Sequence, residues 1–299
     1  MIIVGIKNGL GNQMFQYAFG KILEWRYKVS IQFDIMAEDF ISGMRTDMEI
    51  FKIEDFQVAD KKMVNGFKPF SVAKYKIEKK YLAYAYFKLR RIFQSKKLVT
   101  ERLPSQFIPI INHLDLSQDY YFMGHWMNLR YYEGYEDRIK TLFALKDISF
   151  YSTEIAMEIA TSPYTTISLH IRRGDYLTAD FIEVVGMYYY RQALAIMLEN
   201  VENPFLYIFT NDEKWVSTKF DPMLPYKIVN INFGADSYKD MMLMSLCHHN
   251  IIANSSFSWW GAWLNRHPDK IVIAPRKWYS DTQRNRYVAE MVPKEWIRL

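Results

Sequence analysis

The second half of the chain alternates short apolar strands with helices, and this alternation constrains the fold more than any other feature. From about residue 163 we predict five strands with a helical segment between consecutive ones: TTISLHI, PFLYIFTND, YKIVNI, NIIAN and KIVIAP. Such alternation indicates a mostly parallel, doubly wound sheet. The N-terminal strand MIIVGI, helix MFQYAFGKILEWRY and strand VSIQFD begin a second unit of this kind. We therefore predict an α/β protein with two Rossmann-like domains that face a cleft.

The stretch between these units, residues 40–120, has few strand signals, and we predict it to be irregular and helical. Within it, residues 61–102 carry thirteen Lys or Arg but only two acidic residues, together with many aromatics. This composition fits either a solvated helical insertion or a segment that contacts an anionic membrane surface, and both alternatives stay open. Because the basic excess is confined to one segment and no nucleic-acid motif accompanies it, we do not expect nucleic-acid binding.

Composition also restricts the compartment. We find no apolar run of about 18 to 20 residues, the length that spans a bilayer, and the N-terminus MIIVGIKNG lacks the basic region of a signal peptide. The single cysteine, Cys247, excludes an internal disulfide, and we interpret it as a core thiol rather than a zinc ligand. We expect a cytoplasmic protein, peripheral on the inner face of the cytoplasmic membrane if the basic segment docks there.

Two adjacent arginines follow the strand TTISLHI in the run HIRRGDY, residues 170–176. The loop after the C-terminal end of a strand is where ligands bind in an α/β sheet, and paired guanidinium groups there predict a diphosphate site. Successive residues of an extended chain point to opposite sides. We therefore expect Arg172 to touch phosphate, with Arg173 held in place by Asp175, and His170 on the strand to be either a ligand contact or a core histidine.

A glycine-rich turn, GLGNQ at residues 9–13, joins the first strand to the first helix. Gly9 and Gly11 would let a ligand approach the backbone at a helix N-terminus, which favours negative charge. Asn12 and Gln13 can hydrogen-bond a sugar or a phosphate. An ordinary strand-to-helix turn is the alternative interpretation. The third glycine of the dinucleotide fingerprint is absent, which disfavours a nicotinamide-dependent oxidoreductase.

Two further polar clusters stand at predicted helix starts in the second half. Asp240 either accepts hydrogen bonds from a guanine base or simply carries a negative charge that the helix dipole stabilises. The segment after the strand NIIAN either caps the next helix or offers hydroxyls and amides to phosphate: Asn254, Ser255, Ser256 and Phe257. The chain has no Asp-x-Asp pair to hold a cation on a diphosphate. We therefore expect arginine to replace a metal ion, and no cofactor.

Taken together, GLGNQMFQYAFG, HIRRGDY, FTND and NIIANSSFSWWGAWLN resemble the bacterial α-1,2-fucosyltransferases and, more distantly, the α-1,6- and protein O-fucosyltransferases. The segment GHWMNLRYY, residues 124–132, resembles the family's GYWQSEKYF but departs from it at Asn128 and the two residues that follow. The resemblance implies a GT-B architecture. Residues 1–160 would form the acceptor-side domain, with the basic segment inserted, and residues 161–299 the donor-binding domain.

The resemblance also implies an activity, namely inverting transfer of L-fucose from GDP-β-L-fucose to the 2-hydroxyl of a terminal β-galactoside, which could be lipid-linked. With the residues above, it yields catalytic candidates Arg172, Asn12, Asp175 and Asp180, and acceptor-binding candidates His125 and Trp126. Donor-binding candidates are Gly9, Gly11, Asn12, Gln13, His170, Arg172, Arg173, Asp240, Asn254, Ser255, Ser256 and Phe257.

Several points stay open. The proton of the acceptor hydroxyl could pass to Asp180, or to the leaving phosphate itself. A fucosyltransferase of another linkage and another GDP-sugar transferase are alternative enzymes. A nucleotide-sugar-binding or glycan-binding module without catalysis is the alternative from another class.

Overall fold

A computed structural model describes residues 1–35, 47–65, 67 and 96–299, and two parallel sheets dominate this part of the chain. The first sheet has the strand order β2-β1-β4-β3. Its strands are β1 (Ile2–Gly5), β2 (Ile31–Asp34), β3 (Lys96–Thr100) and β4 (Asp119–Met123). The helices of this half are α1 (Leu10–Tyr27), α2 (Lys61–Asn65), α3 (Glu136–Leu142) and α4 (Glu154–Ala160).

The second sheet has the order β10-β9-β8-β5-β6-β7, and all its pairings are parallel. Its strands are β5 (Thr165–Ile171), β6 (Pro204–Thr210), β7 (Tyr226–Val229), β8 (His249–Ile251), β9 (Val272–Ala274) and β10 (Ile297–Arg298). The helices between them are α5 (Met187–Asn200), α6 (Glu213–Lys219), α7 (Tyr238–Leu246) and α8 (Ser256–Leu264). The central pair, β5 and β6, is in register over seven residues.

Each sheet has a point at which the order of its strands reverses. In the second sheet the chain runs from β5 outward to β7 and then returns to β8 on the other side of β5. In the first sheet β1 lies between β2 and β4, so the reversal falls between β1 and β4. Ligands of open α/β sheets bind at such switch points, beyond the carboxyl ends of the strands.

The two switch points are brought together because α1 and α8 meet at their N-termini. A Cβ added to Gly11 would lie 2.6 Å from the backbone carbonyl carbon of Ser256, and Nε1 of Trp260 donates to the Gly11 carbonyl oxygen at 2.9 Å. The ring of Phe15 packs against Trp259 and Trp260, with centroids 4.6 and 4.7 Å apart. One continuous apolar cluster therefore joins α1 and the first sheet to α7 and α8.

The prediction of an α/β fold with mostly parallel sheets is confirmed, and β5 has the predicted bounds. Within the described part of residues 40–120, β3 is a complete strand and β4 begins at Asp119. The sequence predicts neither strand, although both complete the first sheet. The sequence of β3, KKLVT, begins with two lysines that the edge of a sheet tolerates, which hid the strand. The helix α1 also begins earlier than predicted, at Leu10 within the glycine-rich turn.

Two expectations about composition have different outcomes. Of the basic segment 61–102, the structure describes residues 61–65, 67 and 96–102, so its membrane contact lies largely outside the described residues. Within the described ranges, none of the helices combines the length and apolar character that a membrane span requires. Cys247 is fully buried and its thiol donates to the Leu243 carbonyl oxygen at 3.6 Å, which confirms a core thiol.

Candidate active site

The RRGDY loop, residues 172–176, leaves β5 with its two arginines turned toward different partners. Nε of Arg172 lies 2.8 Å from Oδ1 of Asp175, and Nη2 donates to Oδ2 at 3.0 Å. The guanidinium of Arg173 instead covers the ring of Trp215, 4.3 Å from its centre, and its Nε lies 3.3 Å from Oδ2 of Asp212. The expectation that Asp175 holds Arg173 is therefore wrong, because Asp175 pairs with Arg172.

The two arginines also differ in exposure. The side chain of Arg172 is 33% exposed and that of Arg173 is 17% exposed. Arg172 therefore keeps a guanidinium surface that an anion can reach, oriented by a carboxylate on its other side. Arg173 is fixed against α6, where it supports the loop. This geometry therefore gives no support to its assignment as a donor-binding residue.

Asn211, which follows β6 in the FTND motif, holds the RRGDY loop in shape. Its Oδ1 accepts from the backbone N–H groups of Arg173 at 2.9 Å and Gly174 at 3.2 Å. Its Nδ2 donates to Oδ1 of Asp175 at 3.0 Å. A Cβ at Gly174 would lie 2.7 Å from Nδ2 of Asn211, so the close approach requires glycine. The FTND motif alone predicts no role for Asn211, although a polar residue directly after the neighbouring strand is a signal that could have found it.

His170 is buried at the end of β5, only 4% exposed. Its ring lies 6.0 Å from that of Phe257, and its Nδ1 has no hydrogen-bond partner in the part of the chain that the structure describes. Burial, and then the charge of Arg172, lowers the pKa of His170 to about 3. The ring is therefore neutral at pH 7, with one nitrogen left for a polar ligand atom.

The segment after β8 forms the other wall of this switch point. Asn254 is 3% exposed, and its Nδ2 donates to the carbonyl oxygens of Glu183 at 2.7 Å and Trp278 at 2.9 Å. Its Oδ1 is buried without a partner among the described residues. The hydroxyl of Tyr176 donates to the Asn254 carbonyl oxygen at 3.2 Å, which ties the RRGDY loop to this wall. Asn254 therefore anchors three loops around the switch point.

The N-terminus of α8 follows directly. Oγ of Ser255 caps the helix by accepting from the backbone N–H of Phe257 at 3.3 Å. Ser256 is partly exposed and abuts Gly11 of α1. The first amides of a helix lack partners within the helix and favour an anion. The structure is thus compatible with both interpretations of this segment, as a helix cap and as a phosphate site. The Ser255 hydroxyl acts as a cap, and the amides beside it can bind phosphate.

Asp240 lies in the first turn of α7, which starts from the same carboxyl edge of the sheet. Its Oδ1 accepts from Nδ2 of Asn232 at 2.6 Å. Burial raises the pKa of Asp240 to about 6, and the hydrogen bond from Asn232 opposes that shift. The carboxylate is mostly ionised at pH 7 yet poorly solvated, a state that a ligand with paired N–H donors relieves.

The glycine-rich turn is built differently from the expectation. Gly9 is the N-cap of α1, so residues 11–13 form the first helical turn. The missing Cβ of Gly11 accommodates the backbone of Ser256, so packing between the two helices explains this glycine without a ligand. Gly9 is exposed with nothing within 4 Å of an added Cβ, and Asn12 is partly exposed. These two residues therefore stay accessible to a ligand.

Two predicted site residues belong to the core instead. Gln13 is fully buried; its Nε2 donates to the Asn8 carbonyl oxygen at 2.7 Å and its Oε1 accepts from the backbone of Asp47 at 3.1 Å. Trp126 is also fully buried, stacked on Phe19 with centroids 4.3 Å apart. Neither side chain reaches the protein surface, so this geometry gives no support to their assignments to donor and acceptor binding.

His125 lies across the first switch point from Asn8, whose Nδ2 is 3.0 Å from Nε2 of the imidazole. Asn8 has a φ of 67°, in the left-handed region that asparagine tolerates better than most residues. Burial, and then the charge of Lys7, lowers the pKa of His125 to about 4, so its ring is neutral at pH 7. The two residues present polar groups between β1 and β4.

The last predicted residue, Asp180, has an exposed side chain, and its backbone carbonyl oxygen accepts from Oγ of Ser280 at 3.0 Å. The described ranges contain no group of three or more His, Cys, Asp or Glu side chains arranged to hold a metal ion. Arg172 brings a guanidinium cation to the second switch point.

Comparison with known proteins identifies the family. The model of glycosyl transferase family 11 matches residues 1–299. The chain belongs to glycosyl transferase family 11. The Escherichia coli O-antigen biosynthesis glycosyltransferase WbnK is 29% identical over 308 residues, covering 98% of this chain and 99% of the relative. An alpha-1,2-colitosyltransferase of Escherichia coli is 29% identical over 309 residues, covering 100% of this chain and 99% of the relative.

A solved structure gives the architecture. The NodZ alpha-1,6-fucosyltransferase of Bradyrhizobium, soaked with GDP-fucose, matches with a TM-score of 0.51 and 14% identity over 95% of both chains. The likeness shows the fold, and the expected GT-B architecture is confirmed. The family match confirms the resemblance drawn from the motifs. This chain is therefore a glycosyltransferase of the fucosyltransferase-related family 11. One of its full-length relatives is named for O-antigen biosynthesis and another for the transfer of colitose.

Proposed function

We propose that this glycosyltransferase transfers L-fucose from GDP-β-L-fucose to the 2-hydroxyl of a terminal β-galactoside, with inversion and without a metal ion. The observation that carries the proposal is the accessible guanidinium of Arg172, oriented by Asp175 at the second switch point beside the N-terminus of α8. A planar guanidinium and a helix N-terminus both favour a diphosphate. Residues 161–299 would then bind the donor and residues 1–160 the acceptor.

The guanine base is supported by three side chains near this edge. The carboxylate of Asp240 can accept from the N1 and N2 donors of guanine, an arrangement that a neutral side chain reproduces poorly. The unpaired Nδ1 of neutral His170 can bond a further polar atom of the nucleoside. The ring of Phe257, which packs near His170, offers an apolar face to the base or ribose.

The chemistry follows from the leaving group. The acceptor oxygen forms a bond to the anomeric carbon as the bond from that carbon to the diphosphate oxygen breaks, which inverts the configuration. Negative charge grows on the departing GDP while positive charge develops on the sugar. Arg172 stabilises the charge where it develops, which lowers the barrier rather than only the dissociation constant of the donor.

A second donor has specific support. A relative that matches the full chain is named for colitose, which is L-fucose without its 3-hydroxyl. A donor site that hydrogen-bonds the 3-hydroxyl would discriminate strongly against colitose, whereas a site that encloses the deoxy position would not reject fucose by polarity alone. The same arginine, carboxylate and helix N-terminus would serve GDP-colitose.

The test is a matrix of donors and acceptors. The enzyme is incubated with GDP-fucose, GDP-colitose or GDP-mannose and a panel of β-galactosides, and both GDP release and product linkage are measured. We expect acceptor-dependent GDP release with GDP-fucose and an α-1,2 product. A preference for GDP-colitose would show that GDP-colitose, not GDP-fucose, is the donor. A product of another linkage would show that a different acceptor hydroxyl is used. Binding of GDP without consumption of any donor would contradict an enzyme.

A further inference from the structure

Glu101 lies directly after β3, at the carboxyl edge of the first sheet, and was not singled out by sequence. Its Oε2 accepts from the backbone N–H groups of His125 at 2.5 Å and Trp126 at 3.2 Å. Trp126 has a φ of 59°, and a Cβ at Gly124 would lie 2.7 Å from Oε2. The carboxylate is therefore held firmly against the tight turn that follows β4.

The other oxygen of this carboxyl group has no such partner. Oε1 of Glu101 is buried without a hydrogen-bond partner within the described residues. A buried polar atom left unpaired is costly unless a ligand completes it. The hydrogen bonds to the turn use only Oε2. They do not explain why Oε1 is buried without a hydrogen bond.

The surroundings of Glu101 connect it to the RRGDY loop. Burial, and then the nearby charges of Glu101 and Tyr176, raise the pKa of Tyr279. The backbone of Tyr279 also pairs with that of Ile182, six residues after the RRGDY loop. Arg102, the residue directly after Glu101, lines a cavity of about 570 Å³ together with Leu103, Pro104, Asp281, Thr282, Gln283 and Arg284.

We propose that Glu101 takes the proton of the acceptor hydroxyl and that the adjoining cavity holds the acceptor glycan. The inference rests on the proposed function. In the step, the acceptor O–H gives its proton to Oε1 and its oxygen bonds to the anomeric carbon. The electrons of the broken carbon–oxygen bond leave with the diphosphate of GDP, and the proton on Glu101 passes to solvent after the product departs.

The electrostatics suit a general base. Burial raises the pKa of Glu101 to about 7, opposed by the amides of His125 and Trp126 and by the charge of Lys7. The other titratable groups around it, His125, Tyr131, Tyr132 and Tyr279, are held neutral at pH 7 by burial. A base with a pKa near the working pH is efficient. Because the ionised form is the active one, turnover should rise as the pH increases through about 7.

The decisive variant is Glu101→Gln, which keeps an oxygen for the amides of His125 and Trp126 but cannot take a proton. We expect turnover to fall about 100-fold or more, the acidic limb of the pH–rate profile to vanish, and the affinity for GDP to stay unchanged. Asp180→Asn tests the other carboxylate that could act as the base, and we expect it to keep the acidic limb. Thermal melts of both variants report on folding.

A second variant keeps the test valid if Glu101→Gln does not fold. Lys7→Met removes a charge that lowers the pKa of Glu101, so the acidic limb should move to higher pH. Turnover of Glu101→Gln within about threefold of wild type, loss of the limb in Asp180→Asn, or an unmoved limb in Lys7→Met would each overturn the inference. A wild type inactive with every GDP-sugar would overturn the proposed function as well, which separates the two failures.

Discussion

At the scale of single residues, the two arginines of the RRGDY loop have different roles because their side chains lie on opposite sides of the chain. Arg172 faces Asp175 and keeps an accessible surface, while Arg173 lies between Trp215 and Asp212. Adjacent identical side chains thus meet different environments, and their substitution should have different signatures.

Arg172→Ala should lower turnover at saturating donor by about 100-fold or more, because charge stabilisation in the transition state is lost. Arg172→Lys should also be poor, since a point charge cannot replace a planar fork. Arg173→Ala should show its larger effect in the melting temperature, because it loses a ring contact and an ion pair in the fold. Steady-state kinetics and thermal melts measure both. Near-normal turnover in Arg172→Ala would contradict the assignment.

Asp240→Asn should weaken GDP binding while stabilising the free protein. The folded state holds this carboxyl at a pKa of about 6, above its ordinary 3.8, so ionisation destabilises the fold at pH above 6 and the cost fades toward pH 4. The variant should therefore melt higher than wild type at pH 8 and equally at pH 4. Calorimetric titration should show that wild type prefers GDP to inosine diphosphate, which lacks the N2 donor. An unchanged preference in the variant would contradict guanine recognition by Asp240.

At the scale of elements, the N-termini of α1 and α8 form a joint that admits no side chain at Gly11. Gly11→Ala should destabilise the protein by roughly 1 to 3 kcal/mol, as overpacking does, and push the start of α8 away from the switch point. Thermal melts and GDP titration measure the two effects. Gly9→Ala is the control for stability, because a Cβ there meets nothing within 4 Å. Equal melting temperatures for both variants would contradict close packing between the N-termini of α1 and α8 at Gly11.

Sequence reasoning recovered the elements whose signal is local. The strands β5 to β9 are apolar runs between helices, so their pattern alone fixes them. The sequence of β3, KKLVT, mixes lysines with apolar residues, and its strand character comes from pairing with β4. In the site, a strand ending in two arginines was predictable. The partners of Arg173 were not, because Asn211 and Asp212 reach the loop only through the register of β5 with β6.

Polarity and aromaticity in a motif do not by themselves predict that a side chain is exposed. Gln13 and Trp126 stand in motifs that resemble ligand-binding segments, yet both are buried. Gln13 uses its amide to fix the backbone around α1, and Trp126 fills the core beneath the first sheet. The reverse holds for Glu101, which looks like one charge in a basic stretch but lies against the turn after β4.

At the scale of the whole molecule, the net charge of +5 hides the basic segment 61–102, whose membrane contact remains a prediction from sequence. Binding to vesicles that contain anionic lipid should be measurable at low salt and fall steeply as salt rises, since exposed charges are screened over about 10 Å at 0.1 M ionic strength. Neutral vesicles are the control. A lack of binding to anionic vesicles at low salt would remove the membrane from the list of partners.

The aromatic contacts among Phe15, Trp259 and Trp260 have a consequence for engineering. Because the ring of one half completes the core of the other, a chimera that grafts one half onto a relative would expose mismatched rings along the seam. Exchanging acceptor preference between family members should therefore succeed by transplanting the loops after β1, β3 and β4, with the seam left intact. Grafts of whole halves should aggregate unless α1 and α8 are taken from the same parent.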